Sequence, residues 1–187
     1  IMTPIYQTST YVQAAPGQHK GYEYARSQNP TRKALEDALA AIENGKYALA
    51  FSSGVAATDA VIKLLGPGDE VICANDMYGG TCRLFTKVFE KFGIRFRFTD
   101  TTRPENIEKA LNEKTRLVWV ETPTNPLMNI SDIAAIARIT DPAGIRLGAR
   151  IDRAQRAAPH LGHVELATVY KDLLARPLIS VLDGELK

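Results

Sequence analysis

The chain has 187 residues, enough for one sizeable domain with its own core, and its 45% apolar and 24% charged content is ordinary for a globular protein. With 23 basic and 21 acidic side chains the net charge is +2, and no basic run or stripe marks a nucleic-acid surface. No apolar run approaches membrane-spanning length, and Ile1-Met-Thr-Pro-Ile5 lacks the basic start and apolar stretch of a signal peptide. Cys73 and Cys82 make no disulfide framework or CxxC pair, and His19, His160 and His163 have no metal-ligand spacing. The expectation is two reduced thiols in a cytoplasmic protein without a metal.

Residues 1–30 read as an irregular arm, with Tyr11, Tyr22 and Tyr24 set among Pro, Gly and Gln. Thr31, after Asn29-Pro30, is the expected N-cap of a helix that carries Leu35, Leu39 and Ile42 at helical spacing and ends at Asn44-Gly45. Tyr47-Ala-Leu-Ala-Phe51 reads as a short buried strand. Ser52-Ser53-Gly54 is then a tight turn into a helix of small residues running through Ala57, Val61, Ile62 and Leu65. Gly66-Pro67-Gly68-Asp69 stops that helix.

Glu70 to Ala74 is a strand. Residues 81–92 are amphipathic, with Leu84, Phe85, Val88, Phe89 and Phe92 apolar, and Gly93 closes them. Ile94, Phe96 and Phe98 alternate with Arg95, Arg97 and Thr99 as a half-buried strand. A helix over 104–111, a buried strand over 117–121 and a helix from Ser131 to about Ile139 follow. Beyond the break at Asp141-Pro-Ala-Gly144 come Arg146, Arg150, Arg153 and Arg156, then a helix expected over 166–174 and a strand over 178–182. This alternation predicts an α/β, three-layer αβα domain with a mostly parallel sheet. Ligands of such sheets sit outside the carboxyl ends of the strands. The turns at 52–54, 75–81 and 122–126 should therefore gather on one sheet edge.

Four segments could carry chemistry. At Ser52-Ser53-Gly54-Val55, the N–H groups of Gly54 and Val55 and a serine hydroxyl could seat a phosphate at the positive end of a helix dipole. An ordinary strand-to-helix turn is the other reading. GxGxxG and the P-loop pattern are absent, which counts against dinucleotides and nucleoside triphosphates. Tyr78-Gly79-Gly80-Thr81 sets an aromatic ring where it could stack on a flat ligand or move a proton, or else is a turn with a surface tyrosine. In Glu121-Thr-Pro-Thr-Asn125-Pro126 two prolines stiffen a turn, and Asn125 could bond a ring oxygen or simply serve local backbone. In the arm, Tyr24 and Arg26 pair a phenol with a guanidinium fork suited to phosphate, on a loop that is otherwise solvated.

Together Tyr24-Ala-Arg26-Ser-Gln-Asn-Pro-Thr31, Ser52-Ser-Gly-Val-Ala-Ala57, Tyr78-Gly-Gly-Thr81 and Glu121-Thr-Pro-Thr-Asn-Pro126, in this order and at these intervals, closely resemble the Cys/Met-metabolism family of pyridoxal-phosphate (PLP) enzymes. Cystathionine γ-synthase, cystathionine γ-lyase, cystathionine β-lyase and methionine γ-lyase belong to it. The resemblance covers about residues 1–140. It implies the PLP-binding large domain of an aspartate-aminotransferase-like fold over residues 31–187, incomplete, with residues 1–30 as an arm reaching a neighbouring subunit and the C-terminal small domain absent. It implies that Ser53, Gly54 and Val55 bind the cofactor phosphate, Val55 standing where the family usually has Met. Tyr24 and Arg26 would bind the phosphate of a neighbouring subunit's cofactor in a homo-oligomer, a dimer of dimers. Tyr78 would stack on the pyridine ring and assist proton transfer, and Asn125 would bond the ring hydroxyl oxygen. The implied activity is γ-elimination or γ-replacement on a small amino acid, cystathionine or an activated homoserine, with no nucleic-acid or membrane partner.

The family also needs a lysine that forms a Schiff base with PLP, usually in Ser-Ala-Thr-Lys-Tyr, an aspartate facing the pyridine nitrogen, usually in Asp-Asn-Thr-Phe, and an arginine for the substrate carboxylate. None of these motifs stands in residues 141–187. Asp152 and Lys171 are faint echoes, and the plain reading of Lys171 is a solvated lysine on a helix. A truncated, frameshifted or fused family member is expected, and the alternative to an enzyme is a catalytically incomplete PLP- or phosphate-binding fragment. An unrelated α/β phosphate-binding domain is the weaker third reading, against which the four motifs speak.

Overall fold

A computed structural model of the chain describes residues 2–43, 45–151, 164–172 and 176–184, with side chains placed through Ala149. The arm is more ordered than its composition suggests. Gln13–Ala15 (β1) and Gln18–His19 (β2) form a small antiparallel hairpin, and Thr10 bridges Tyr24. Tyr11 and Tyr22 pack ring to ring at 5.5 Å. The start of the arm is tied to the first helix, Pro30–Ile42 (α1), because Tyr6 N donates to Thr31 Oγ1 at 2.9 Å and Thr31 Oγ1 donates to the Pro4 carbonyl at 3.0 Å. Since Thr31 is engaged there, Asn29 is the N-cap, not Thr31. Its Oδ1 accepts from Thr31 N at 2.8 Å, and Pro30 occupies the first helical position, where a missing N–H costs nothing.

Residues 47–51 are not a buried strand. Tyr47 is 57% exposed and Leu49 48% exposed, and no strand of the described sheet pairs with them. Part of their backbone demand is met instead by α1, where Glu36 Oε1 accepts from Ala50 N at 3.0 Å. An apolar run becomes a buried strand only if a ladder partner is available, and here the described sheet offers none.

The sheet consists of Glu70–Ala74 (β3), Arg95–Thr99 (β4), Thr115–Thr122 (β5), Arg146–Ile151 (β6), Val164–Asp172 (β7) and Arg176–Gly184 (β8), in the order β4-β3-β5-β6-β7-β8. Its first four strands are mutually parallel, while β6 with β7 and β7 with β8 pair antiparallel. The described sheet is therefore mixed but mostly parallel, with three parallel and two antiparallel pairings. Where a helix is expected over 166–174, the described residues 166–172 are strand and hold Lys171, while 173 and 174 lie outside the described residues. Val164, Thr168, Val169 and Tyr170 are β-branched or aromatic, and β8 supplies their ladder. The strand expected over 178–182 lies inside β8. Asp152 lies outside the described residues.

Side chains alternate across the sheet and build two apolar layers. Val71, Cys73, Leu117 and Trp119 meet Ala57, Val61 and Ile62 of the helix Gly54–Ile62 (α2) on one face. Phe85 and Phe89 join them from a helical run that starts as Gly79–Arg83 (α3), continues through a π turn at Leu84–Val88 and a 3-10 turn at Phe89–Phe92, and ends on Gly93 at φ 81°. Ile72, Val118, Val120 and Leu147 point the other way, onto Ile107 of Pro104–Ala110 (α4) and Ile136 and Ala137 of Ile133–Thr140 (α5). The three-layer arrangement follows from this alternation. Among the described residues no helix is long and apolar enough to cross a membrane.

The Trp119 ring sits directly on Gly148 of β6. A Cβ there would fall 2.6 Å from Trp119 Cε3. Gly148→Ala is therefore expected to lower the unfolding free energy by about 1–3 kcal/mol through overpacking. A urea titration followed by the fluorescence of this single tryptophan measures it, and an unchanged midpoint would refute the contact. Burial pushes the Cys73 thiol well above its usual value of 9.0. The folded state thus keeps a proton that the unfolded chain releases, so stability falls as pH rises through 9.0. Cys73→Ala should flatten part of that alkaline slope in urea titrations at successive pH values. An identical slope in both proteins would show that Cys73 does not contribute.

Candidate functional site

Parallel pairing of β3 with β5, Cys73 opposite Trp119, sends both strands out of the same sheet edge. The loop after β3 carries Asn75, Asp76, Met77 and Tyr78. The loop after β5 carries Pro123, Thr124, Asn125 and Pro126. These two loops are bonded to each other. Glu121, at 2% exposure, ends a strand that is otherwise apolar or threonine over its buried stretch, and its Oε2 accepts from Tyr78 N at 2.7 Å. In the opposite direction, Asp76 Oδ2 accepts from the Thr124 hydroxyl, from Leu127 N at 3.1 Å and from Asn129 Nδ2 at 3.4 Å. Thr124 Oγ1 in turn accepts from Asn129 N at 2.8 Å. Asn125 stands exposed at the tip of this closed loop.

Tyr78 is held from a second side. An added Cβ on Gly80 would lie 2.3 Å from Tyr78 Cε1, so the phenol fills the space that a side chain at this position would need. Tyr78 as a residue is 37% exposed.

The turn at 52–54 does not follow a sheet strand, yet it leads to the same neighbourhood. Phe51 and Ala57 flank the α2 N-terminus and pack in the same apolar cluster as Met77, the neighbour of Tyr78. Ser53 is the N-cap. Its Oγ accepts from Ala56 N at 3.1 Å, and its carbonyl accepts from Ala57 N at 3.1 Å. The N–H groups of Gly54 and Val55 are then the orphan donors that every helix start leaves, and no hydrogen bond uses them among the described residues. The first turn of α2 carries no acidic side chain. Ser53 still has its hydroxyl proton to donate. Two backbone donors, a hydroxyl and a dipole end make a donor set suited to a phosphate monoester.

Tyr24 and Arg26 stand together but apart from these loops. The Arg26 guanidinium lies 5.0 Å over the Tyr24 ring, and Tyr24 is 37% exposed. Among the described residues no hydrogen bond or ion pair joins either of them to α2 or to the Tyr78 loop. The residues that hold the site together, Asp76 and Thr124, escaped the sequence reading. A carboxylate closing a buried strand, as Glu121 does, was the available signal, because it demands a donor from some neighbouring loop.

Residues 1–154 match the family described as Cys/Met metabolism PLP-dependent enzyme. The chain belongs to this family. It is 50% identical over 145 residues to a probable cystathionine γ-synthase of Herpetosiphon aurantiacus, a match covering 78% of the chain and 46% of that protein. It is 48% identical over 144 residues to cystathionine γ-lyase of Bos taurus, covering 77% of the chain and 36% of that enzyme. The crystal structure of metB from Corynebacterium glutamicum superposes with a TM-score of 0.76 at 41% identity, over 81% of this chain and 45% of that one. The chain thus spans less than half the length of these relatives. PLP is the cofactor of the family, and the orphan donors at the α2 N-terminus suit its phosphate.

Ser53→Ala should remove the cap of α2 at a cost of about 0.5–2 kcal/mol, while Ser53→Asn should cost less because its amide oxygen still caps. Paired urea titrations test this. Equal losses in the two variants would mean that the cap contributes nothing.

Proposed function

We propose that this chain is the phosphate-and-ring half of a Cys/Met-metabolism PLP site, catalytically incomplete by itself. The observation that carries the reading is the Ser53-capped N-terminus of α2, with the Gly54 and Val55 N–H groups unused, set in one apolar cluster with the loop that bears Tyr78. In this reading Gly54, Val55 and the Ser53 hydroxyl bind the phosphate. Tyr78 covers the pyridine ring and, through its phenol, relays a proton near the reacting carbon. Asn125 bonds the ring hydroxyl oxygen. When bound, PLP supplies an electron sink for charge released at a substrate α-carbon.

The incomplete reading is favoured because the chain covers 46% or less of the relatives quoted, and because neither the lysine motif nor the aspartate motif stands in residues 141–187. Lys171 lies in the strand β7 and not on the expected helix. In a complete assembly the reaction would be γ-elimination or γ-replacement on cystathionine or an activated homoserine. Relatives named for a γ-synthase and a γ-lyase match almost equally, at 50% and 48% identity, so the family match itself favours neither reaction. The setting proposed is cytoplasmic, in a homo-oligomer such as a dimer of dimers.

Two experiments test this. The chain mixed with PLP and reduced with borohydride should yield no single lysine labelled stoichiometrically by peptide mass mapping. One stoichiometric lysine, Lys171 above all, would replace the incomplete reading by a self-sufficient one. Tyr24 and Arg26 are proposed to bind the phosphate held by a neighbouring subunit. Arg26→Ala and Tyr78→Ala should each weaken PLP binding by about tenfold, the loss of one good contact, and mixing the two variants should restore part of it by pairing intact halves. Unchanged affinity in Arg26→Ala would remove the arm from the site.

A further inference from the structure

We propose that Asp76 and Glu121 are positioning residues that form a reciprocal clamp, fixing the ring-binding loops independently of the phosphate seat. This rests on the reading of Tyr78 and Asn125 given above. The clamp is visible as a crossed pair of carboxylates. Glu121 belongs to β5 and holds the loop after β3 through Tyr78 N. Asp76 belongs to the loop after β3 and holds the loop after β5 through Thr124, Leu127 and Asn129.

The geometry has a functional direction. The Glu121 contact is made by the backbone of the residue whose ring would face the ligand, and that ring occupies the space a side chain at Gly80 would need. Residues 124–129 close on themselves, since Thr124 N donates to the Asn129 carbonyl at 2.9 Å and Met128 N to the Thr124 carbonyl at 3.2 Å, and Asp76 ties this closed loop to the loop after β3 through Thr124, Leu127 and Asn129. Asn125 is thereby presented outward. A carboxylate accepting N–H or O–H donors in a partly dry setting makes stronger bonds than a neutral acceptor, and orientation set before binding lowers the ordering cost of a ligand. The α2 N-terminus shares none of these bonds, because its own cap is Ser53. Breaking the clamp should accordingly affect the ring and spare the phosphate.

Pyridoxine 5′-phosphate is the probe of choice, as it has no aldehyde to react with surface lysines, and inorganic phosphate reports on the seat alone. Both are measured by calorimetry on the whole chain, the phosphate by competition. Glu121→Leu and Asp76→Leu should each raise the Kd for pyridoxine 5′-phosphate about tenfold, as Tyr78→Ala does, the size of one stacking contact. The inorganic phosphate constant should move less than about twofold, since the seat is untouched. Glu121→Gln should stay within about threefold of the parent because its amide oxygen still accepts the Tyr78 N–H. Glu121→Leu combined with Tyr78→Ala should bind no more weakly than Tyr78→Ala alone.

If both dissociation constants rise together in the leucine variants, or if the double variant loses the product of the single effects, the two carboxylates support the fold and not the ring, and the proposal is overturned. Should Glu121→Leu not fold, Asp76→Leu and Glu121→Gln decide, because Asp76 is only half-buried and glutamine is isosteric. A tenfold loss in Tyr78→Ala without any loss in the clamp variants sinks the clamp alone. No loss in Tyr78→Ala sinks the ring-stacking reading, and the clamp with it.

Discussion

Parallel pairing between β3 and β5 brings together the two strand ends from which the ring-facing loops emerge. Each strand is fully buried at its end, so each loop starts from a backbone that cannot shift without disturbing both apolar layers. Onto this edge the sheet delivers a buried carboxylate, Glu121, at the one place where a donor from the neighbouring loop can meet it. The contact meets an electrostatic demand and fixes a tyrosine in the same step. A buried carboxylate is costly without donors, and the Tyr78 N–H is one that meets it.

The phosphate seat has a different origin. It comes from no side-chain network but from helix geometry, which leaves the first N–H groups without partners, and from a serine that satisfies one of them while leaving Gly54 and Val55 open. Its placement depends on packing. Ala57, Val61 and Ile62 press α2 onto Val71, Cys73 and Trp119, and the small residues at the start of the helix allow the close approach. A phosphate seat held by apolar packing and ring-bearing loops held by charged hydrogen bonds respond to different perturbations.

Much of the layout was legible in the residues. β3 and β5 announce themselves as buried apolar runs, β4 by alternation, and the run after Tyr78 by its amphipathic spacing closed at Gly93. What failed did so for want of partners. Residues 47–51 have the letters of a buried strand, yet a strand is a property of two segments, and among the described residues the sheet places none beside this one. The weakly patterned residues around Lys171 suggest a helix, and pairing of β7 with β8 makes them a strand. Thr31 looks like a cap until Pro4 and Tyr6 of the arm occupy its hydroxyl, which leaves the cap to Asn29.

For the site itself, the sequence alone determined the chemical parts and the family. Glycine, serine and a helix of small residues specify an anion seat locally, and four ordered motifs specify membership, because both depend on residue identity over short stretches. Only the tertiary structure decided how the parts are held. The bonds from Glu121 to Tyr78 and from Asp76 to Thr124, Leu127 and Asn129 span 43 to 53 residues of chain. No local pattern encodes them. They exist because parallel strands with crossover connections bring distant segments to one edge, where a buried charge accepts the donor that the fold presents to it.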